Sequence, residues 1–212
     1  MILSGIIRRS CIFVSLIGLP VFAGPSIQGI ENFWQVDDHV YRGAQPTDQG
    51  FLNLAKLGIR TVVDLREADG RSRAEEKAVT AAGMRYVNVP MTGLTPPTGE
   101  QMTKILTLLQ NGSSGPVFIH CKRGADRTGA VIAVYRIQHD QWENRRALSE
   151  AMSRGMSWMQ LPRQHYVLAY QPQHEHAAET LEAKAADTPH VTQQSSSNQL
   201  EINAVAAPAL VR

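Results

Sequence analysis

The chain is predicted to be an α/β protein of three layers, with a central, mostly parallel sheet flanked by helices. Two observations predict it. Runs rich in β-branched and apolar residues at 59–65, 84–91 and 117–121 alternate with helical patterns, an alternation that returns each strand in the same direction. One of these runs, Val117-Phe118-Ile119, continues into a tight loop and then into Ala130-Val131-Ile132-Ala133-Val134, which reads as strand, loop, helix. In such sheets ligands sit beyond the carboxyl ends of the strands, where that loop falls.

Each element follows from local chemistry. Residues 32–36 and 40–42 form two short strands joined at Asp37-Asp38-His39, a small hairpin. Pro46-Thr47-Asp48 opens a helix with Phe51, Leu54, Ala55 and Leu57 on one face, and Gly58 ends it. The strand 59–65 leads through the polar turn 66–70 to a helix from Ser72 to Ala82, stopped by Gly83. The strand 84–91 is followed by a loop, 92–97, and Thr98 with Gln101 forms a capping box for a helix through Leu109. Residues 111–116 lead into the strand that ends at Cys121. Two further helices are expected at 142–154 and 161–170, with Pro162 as the first-turn proline of the second.

At 212 residues the chain suits one domain with extensions, expected over 25–172. Before it, Arg8 and Arg9 precede the apolar run 11–19 and then Val21-Phe22-Ala23, which resembles a signal peptide over 1–23. The run is short for a membrane span, so the expectation is an exported chain, periplasmic or secreted, with no stable span after cleavage. From 173 to 212 the composition shifts to His, Ala, Glu, Gln and Ser and predicts a disordered, low-complexity tail. His165 with His174, Glu175 and His176 has no fixed ligand geometry, so no metal is expected there. A net charge of +2 argues against a dedicated nucleic-acid binder. Cys11 falls in the leader, which leaves Cys121 alone and reading as a reactive thiol.

The loop His120-Cys121-Lys122-Arg123-Gly124-Ala125-Asp126-Arg127-Thr128-Gly129 carries the chemistry. A short loop opening a helix turns its backbone N–H groups on one centre that suits a tetrahedral oxyanion, so Lys122, Arg123, Gly124 and Ala125 become phosphate-binding residues. Gly124 lets the backbone turn and approach closely. Cys121 at the floor, beneath N–H dipoles and a guanidinium, should be a thiolate nucleophile at neutral pH. Arg127 can grip two oxygens with its planar fork. Lys122 and Arg123 make the rim basic, which favours substrates with more than one phosphate.

The pattern H-C-x5-R-T-G in this loop resembles the signature of the cysteine-dependent protein tyrosine phosphatase superfamily. The full string HCKRGADRTG resembles its compact dual-specificity-like branch, with plant, fungal and bacterial members, and residues 40–46 resemble that branch's N-terminal segment. The resemblance implies a protein tyrosine phosphatase-like fold with a strand–P-loop–helix active site. It also implies hydrolysis of phosphate monoesters through a phosphocysteine, with no metal or cofactor. Thr128 would help the thiolate leave, His120 would orient the loop from behind, and Arg42 would support the site. Many members place an acidic Asp upstream, yet residues 91–98 hold none. Asp126 resembles the in-loop Asp of myotubularin-like and some bacterial phosphatases and is the candidate general acid. Its alternative is to hold the loop's shape, with Glu100 and Asp69 as reserve acids. Substrates are expected to be phosphotyrosine or phosphoserine/threonine proteins, or inositol phosphates and phosphoinositides. A rhodanese-type sulfurtransferase and a non-catalytic phosphate-binding module are the competing classes.

Overall fold

The computed structural model describes residues 26–172. Five strands form one sheet: β1 (Trp34–Gln35), β2 (Val40–Gly43), β3 (Thr61–Asp64), β4 (Arg85–Asn88) and β5 (Val117–His120). Their order is β1-β2-β5-β3-β4. Only β1 runs antiparallel, pairing with β2 in the expected hairpin, and the other pairs are parallel. The register lays Gly43, His120, Asp64 and Asn88 side by side, so the carboxyl ends of four strands finish on one line.

Six helices cover the sheet: α1 (Asp48–Leu57), α2 (Gly70–Ala81), α3 (Gly99–Gln110), α4 (Asp126–Gln138), α5 (Asn144–Ser153) and α6 (Leu161–Ala169). Side-chain alternation divides the core between the two faces. Val62 and Phe118 point to one face with Phe51, Leu54 and Val79 of α1 and α2. Val63, Val117 and Ile119 point to the other, with residues of α3 to α6. These are the three layers expected. Helix α4 is buried almost all round, from Thr128 to Tyr135, which explains why its sequence shows no polar stripe.

Two helix starts differ from the sequence reading. Asp69 caps α2, accepting from the N–H groups of Arg71 and Ser72, so the helix begins at Gly70 and Ser72 completes the capping box. Trp142 lies outside α5, stacked by Arg136 at 4.7 Å and Arg146 at 3.7 Å, and the helix begins at Asn144. The capping box of Thr98 and Gln101 is present at α3, and residues 112–114 add a short 3-10 turn within the predicted connection.

Among the described residues no helix is long and apolar enough to cross a membrane. The expected leader 1–23, the tail 173–212 and the His174–His176 cluster lie outside the described residues.

Candidate active site

Cys121 follows β5 directly and α4 begins at Asp126, so the loop is short and its ends are fixed by a strand and a buried helix. The carbonyls from His120 to Gly124 are all engaged. The His120 oxygen accepts from Leu65 N at 2.9 Å and the Lys122 oxygen from Gln45 N at 3.3 Å. The Asn32 amide donates to Arg123 O at 3.3 Å and to Gly124 O at 3.1 Å, and Arg42 Nη2 donates to Gly124 O at 2.5 Å. The Cys121 oxygen lies 3.4 Å from His120 Nδ1. With the carbonyls turned outward, the N–H groups turn inward on one centre. Ala125, the N-cap of α4, supplies no side-chain cap, so the first N–H groups of that helix are also open to an anion. Gly124 has φ of +65°, and a Cβ there would collide with the backbone of Gly43 and Ala44.

The sequence candidates divide into those that converge on this centre and those that support it. Cys121 is 3 % exposed at the loop floor. Its burial opposes ionisation, but the Thr128 hydroxyl and N–H, the Arg127 charge and the Arg123 N–H overcome this and lower the thiol's pKa. The Thr128 oxygen is buried without a partner in ordinary hydrogen-bond geometry, and it is among the groups that lower the thiol's pKa. Arg127 Nη1 donates to Leu65 O at 3.3 Å and Met91 O at 3.2 Å, and no other hydrogen bond from its guanidinium is made within the described residues. Two carbonyls thus orient one corner of the fork and leave the Nε–Nη2 edge for an oxyanion.

Arg42 does not face this centre. It is 2 % exposed behind the loop, and burial lowers its pKa to about 10, which still leaves it charged at neutral pH. Its work is on the Gly124 carbonyl. His120 is fully buried at the end of β5. Asp126 has both oxygens engaged, Oδ1 by Ser157 N at 2.9 Å and Oδ2 by the Arg123 guanidinium. Asp69 is the α2 cap, and its hydrogen bonds with Arg71 and with the helix start hold its pKa at about 2. Glu100 is exposed in the first turn of α3.

Sequence reasoning missed the wall of the site. A cleft of about 250 Å³ beside Arg127 and Lys122 is lined also by Gln45, Arg66, Glu67, Arg71 and Gly93. Four of these side chains are cationic and one is anionic. Arg66 is held by Asp64, with Nε to Oδ1 at 2.9 Å and Nη2 to Oδ2 at 2.8 Å, and by Glu75. Asp64, Glu75 and His120 offer ligand atoms close enough together for a metal ion. The Arg66 guanidinium already bridges the two carboxylates, so the cation of this cluster belongs to the protein. Buried Arg163 of α6 donates to Thr92 O at 2.7 Å and Gly93 O at 2.8 Å, tying the loop after β4 to the helix layer.

A family model described as "DSP-PTPase phosphatase fused to NAD+ Kinase" matches residues 25–169. The chain is 32 % identical over 124 residues to the dual specificity protein phosphatase TpbA of Pseudomonas aeruginosa, covering 58 % of this chain and 54 % of that one. It therefore spans about half the length of the TpbA sequences it matches. It is 29 % identical over 145 residues to the inositol diphosphatase DSP3 of Arabidopsis thaliana, covering 66 % of this chain and 68 % of that one. The crystal structure of P. aeruginosa TpbA superposes with a TM-score of 0.60 at 25 % identity, covering 77 % of this chain and 96 % of that one.

Proposed function

The chain belongs to the DSP-PTPase phosphatase family, and from that we propose that it hydrolyses phosphate monoesters through a phosphocysteine intermediate. The observation that carries the reading is the anion centre itself: a buried, acidified thiol beneath inward N–H groups, with an arginine fork oriented beside it. The Cys121 thiolate attacks phosphorus in line, and the ester oxygen leaves with a proton. Arg127 and the loop N–H groups stabilise the charge on the equatorial oxygens. Water then attacks the phosphocysteine, releasing phosphate, and the Thr128 hydroxyl stabilises the departing thiolate. This route uses side chains and backbone alone, with no cofactor.

Asp126 is the proposed acid. Its pair with Arg123 lies at the surface, where Arg123 is 64 % exposed, and such pairs are worth at most about 1 kcal/mol. A bound phosphate dianion competes for that guanidinium and frees Oδ2. Glu67 is a second reading, favoured by its place in the cleft wall with Arg127.

Of the cleft's cations Arg66 and Arg71 are paired with carboxylates, but Lys122 and Arg127 have no carboxylate partner among the described residues and outnumber Glu67, which favours a compact polyphosphorylated substrate over a phosphopeptide. Inositol phosphates fit that chemistry, and above all those with a diphosphate group, whose phosphoanhydride the same thiolate attack would cleave with a phosphate monoester as leaving group. A phosphate-release comparison tests it, with p-nitrophenyl phosphate, a phosphotyrosyl peptide, phosphoinositide vesicles and a diphosphoinositol polyphosphate as substrates. The diphosphoinositol substrate should give the highest kcat/KM. Release from none of them, or thiocyanate formation instead, would remove the phosphatase reading. Export is proposed from Arg8, Arg9 and the apolar run after them; a full-length chain confined to the cytoplasm on cell fractionation would contradict it.

A further inference from the structure

Helix α2 buries Ser72, Glu75 and Val79 on one face. At the centre of that face, where a helix ordinarily sets an aliphatic side chain, stands a carboxylate whose residue is 4 % exposed. Burying an unpaired carboxylate costs several kcal/mol. Here it has three donors from three segments: Gln45 Nε2 at 2.6 Å from the loop after β2, Arg66 Nη2 from the loop after β3, and His120 Nε2 at 2.7 Å from β5. Gln45 and Arg66 line the cleft, and His120 precedes the nucleophile.

We propose that Glu75 is a positioning residue for the phosphoryl transfer, holding His120 as an imidazolium beneath the Cys121 loop and Gln45 and Arg66 in the cleft wall. The inference deepens the phosphatase reading and rests on it for its purpose.

The geometry of His120 carries the argument. One ring nitrogen faces a carboxylate oxygen of Glu75 and the other faces the Cys121 carbonyl at 3.4 Å. Both partners are acceptors, and the protonated ring alone can donate to both. The other charged groups around it are of both signs. Asp64 Oδ1 of β3 lies 3.9 Å from Nε2, Arg66 opposes from beyond the two carboxylates, and Tyr86 of β4 reaches the site only through its hydroxyl on Asp64. Phe118 stacks on the ring at 5.6 Å and adds no charge. Burial pushes the imidazole toward neutrality, but the hydrogen bond and charge of Glu75, with the charge of Asp64, raise its pKa overall. A cation one residue from Cys121 then favours the thiolate, and the outward pull on the Cys121 carbonyl helps turn the loop's N–H groups inward.

The substitution Glu75→Gln separates this role from packing. The amide keeps the shape, and its oxygen can still accept from Gln45 and Arg66, but its NH2 then faces Nε2 and can bond only to a neutral ring. The experiment follows the iodoacetamide alkylation of Cys121 in the full chain by mass spectrometry as a function of pH, with thermal melting alongside. E75Q should raise the pH midpoint by about one unit, a tenfold loss of thiolate below it. H120N should do the same, and E75Q/H120N should shift no further than H120N alone. An unmoved midpoint in E75Q, or additive shifts in the double variant, would overturn the proposal. The wild-type chain gives a check that does not depend on any variant folding: imidazole 15N shifts should show both His120 nitrogens protonated at neutral pH, and a neutral ring would overturn it equally. Alkylation needs no turnover, so a chain that shows these shifts yet releases no phosphate sinks the phosphatase reading alone.

Discussion

At the scale of single residues, the site divides into groups that touch the anion and groups that aim them. Cys121→Ser should abolish turnover while leaving substrate affinity within a few-fold, because the hydroxyl does not ionise near neutral pH but the cradle stays; single-turnover phosphate release and equilibrium binding check the two halves. Arg127→Lys should lose at least about a hundredfold in kcat/KM, since a point charge cannot replace the Nε–Nη2 edge. The acid is decided by leaving groups: Asp126→Asn should slow alkyl phosphates far more than nitrophenyl phosphates, whose leaving oxygen hardly needs a proton. A loss that is uniform across leaving groups makes Asp126 a holder of Ser157 and Arg123, and the selective loss should then appear in Glu67→Gln. The anion-facing residues were legible because they lie within one ten-residue string. Those that aim them were not: Asn32 reaches its carbonyl across 91 positions and Glu75 reaches His120 across 45. Neither contact leaves a periodic or local mark.

At the scale of elements, strands and helices were readable from β-branched runs, caps and glycines, and the discrepancies have local causes. Asp69 drew attention as a carboxylate when its task is the start of α2. Trp142 is the first residue of the helix expected over 142–154, yet its ring is covered by two arginines and stays outside α5. Strand order could not be read, because nothing local says that β5 inserts between β2 and β3. The link between α6 and the loop after β4 was equally hidden, since Arg163 and Gly93 are 70 positions apart. Arg163→Met should release Thr92 and Gly93, leaving two carbonyls without their donor. Faster amide hydrogen exchange through residues 92–97 is the expected outcome, with α1 and α2 unchanged.

At the scale of the whole molecule, the buried ion cluster under the sheet's carboxyl edge ties stability to pH from both sides. Burial opposes the charge on Asp64, but hydrogen bonds from Arg66 and the charges of His120 and Arg66 hold its pKa below the ordinary value. Its stabilisation is thus full above about pH 4 and is lost as pH falls through the lower folded value. His120 has the opposite sign: its pKa is raised, so its contribution is full below about pH 6.5 and disappears as pH rises through the folded value. Melting temperature should therefore fall toward both acid and alkali, and His120→Asn should flatten the alkaline limb and, by removing one of the charges that hold Asp64 down, shrink the acid one. The ring of outward-held carbonyls has a further consequence. Five successive oxygens, from His120 to Gly124, are engaged before any ligand arrives, so the cradle needs no reorganisation to receive a tetrahedral anion. Such a cradle does not distinguish an ester's phosphoryl group from the free phosphate that hydrolysis releases. Inorganic phosphate should accordingly inhibit competitively, making the reaction slow itself wherever its own product accumulates.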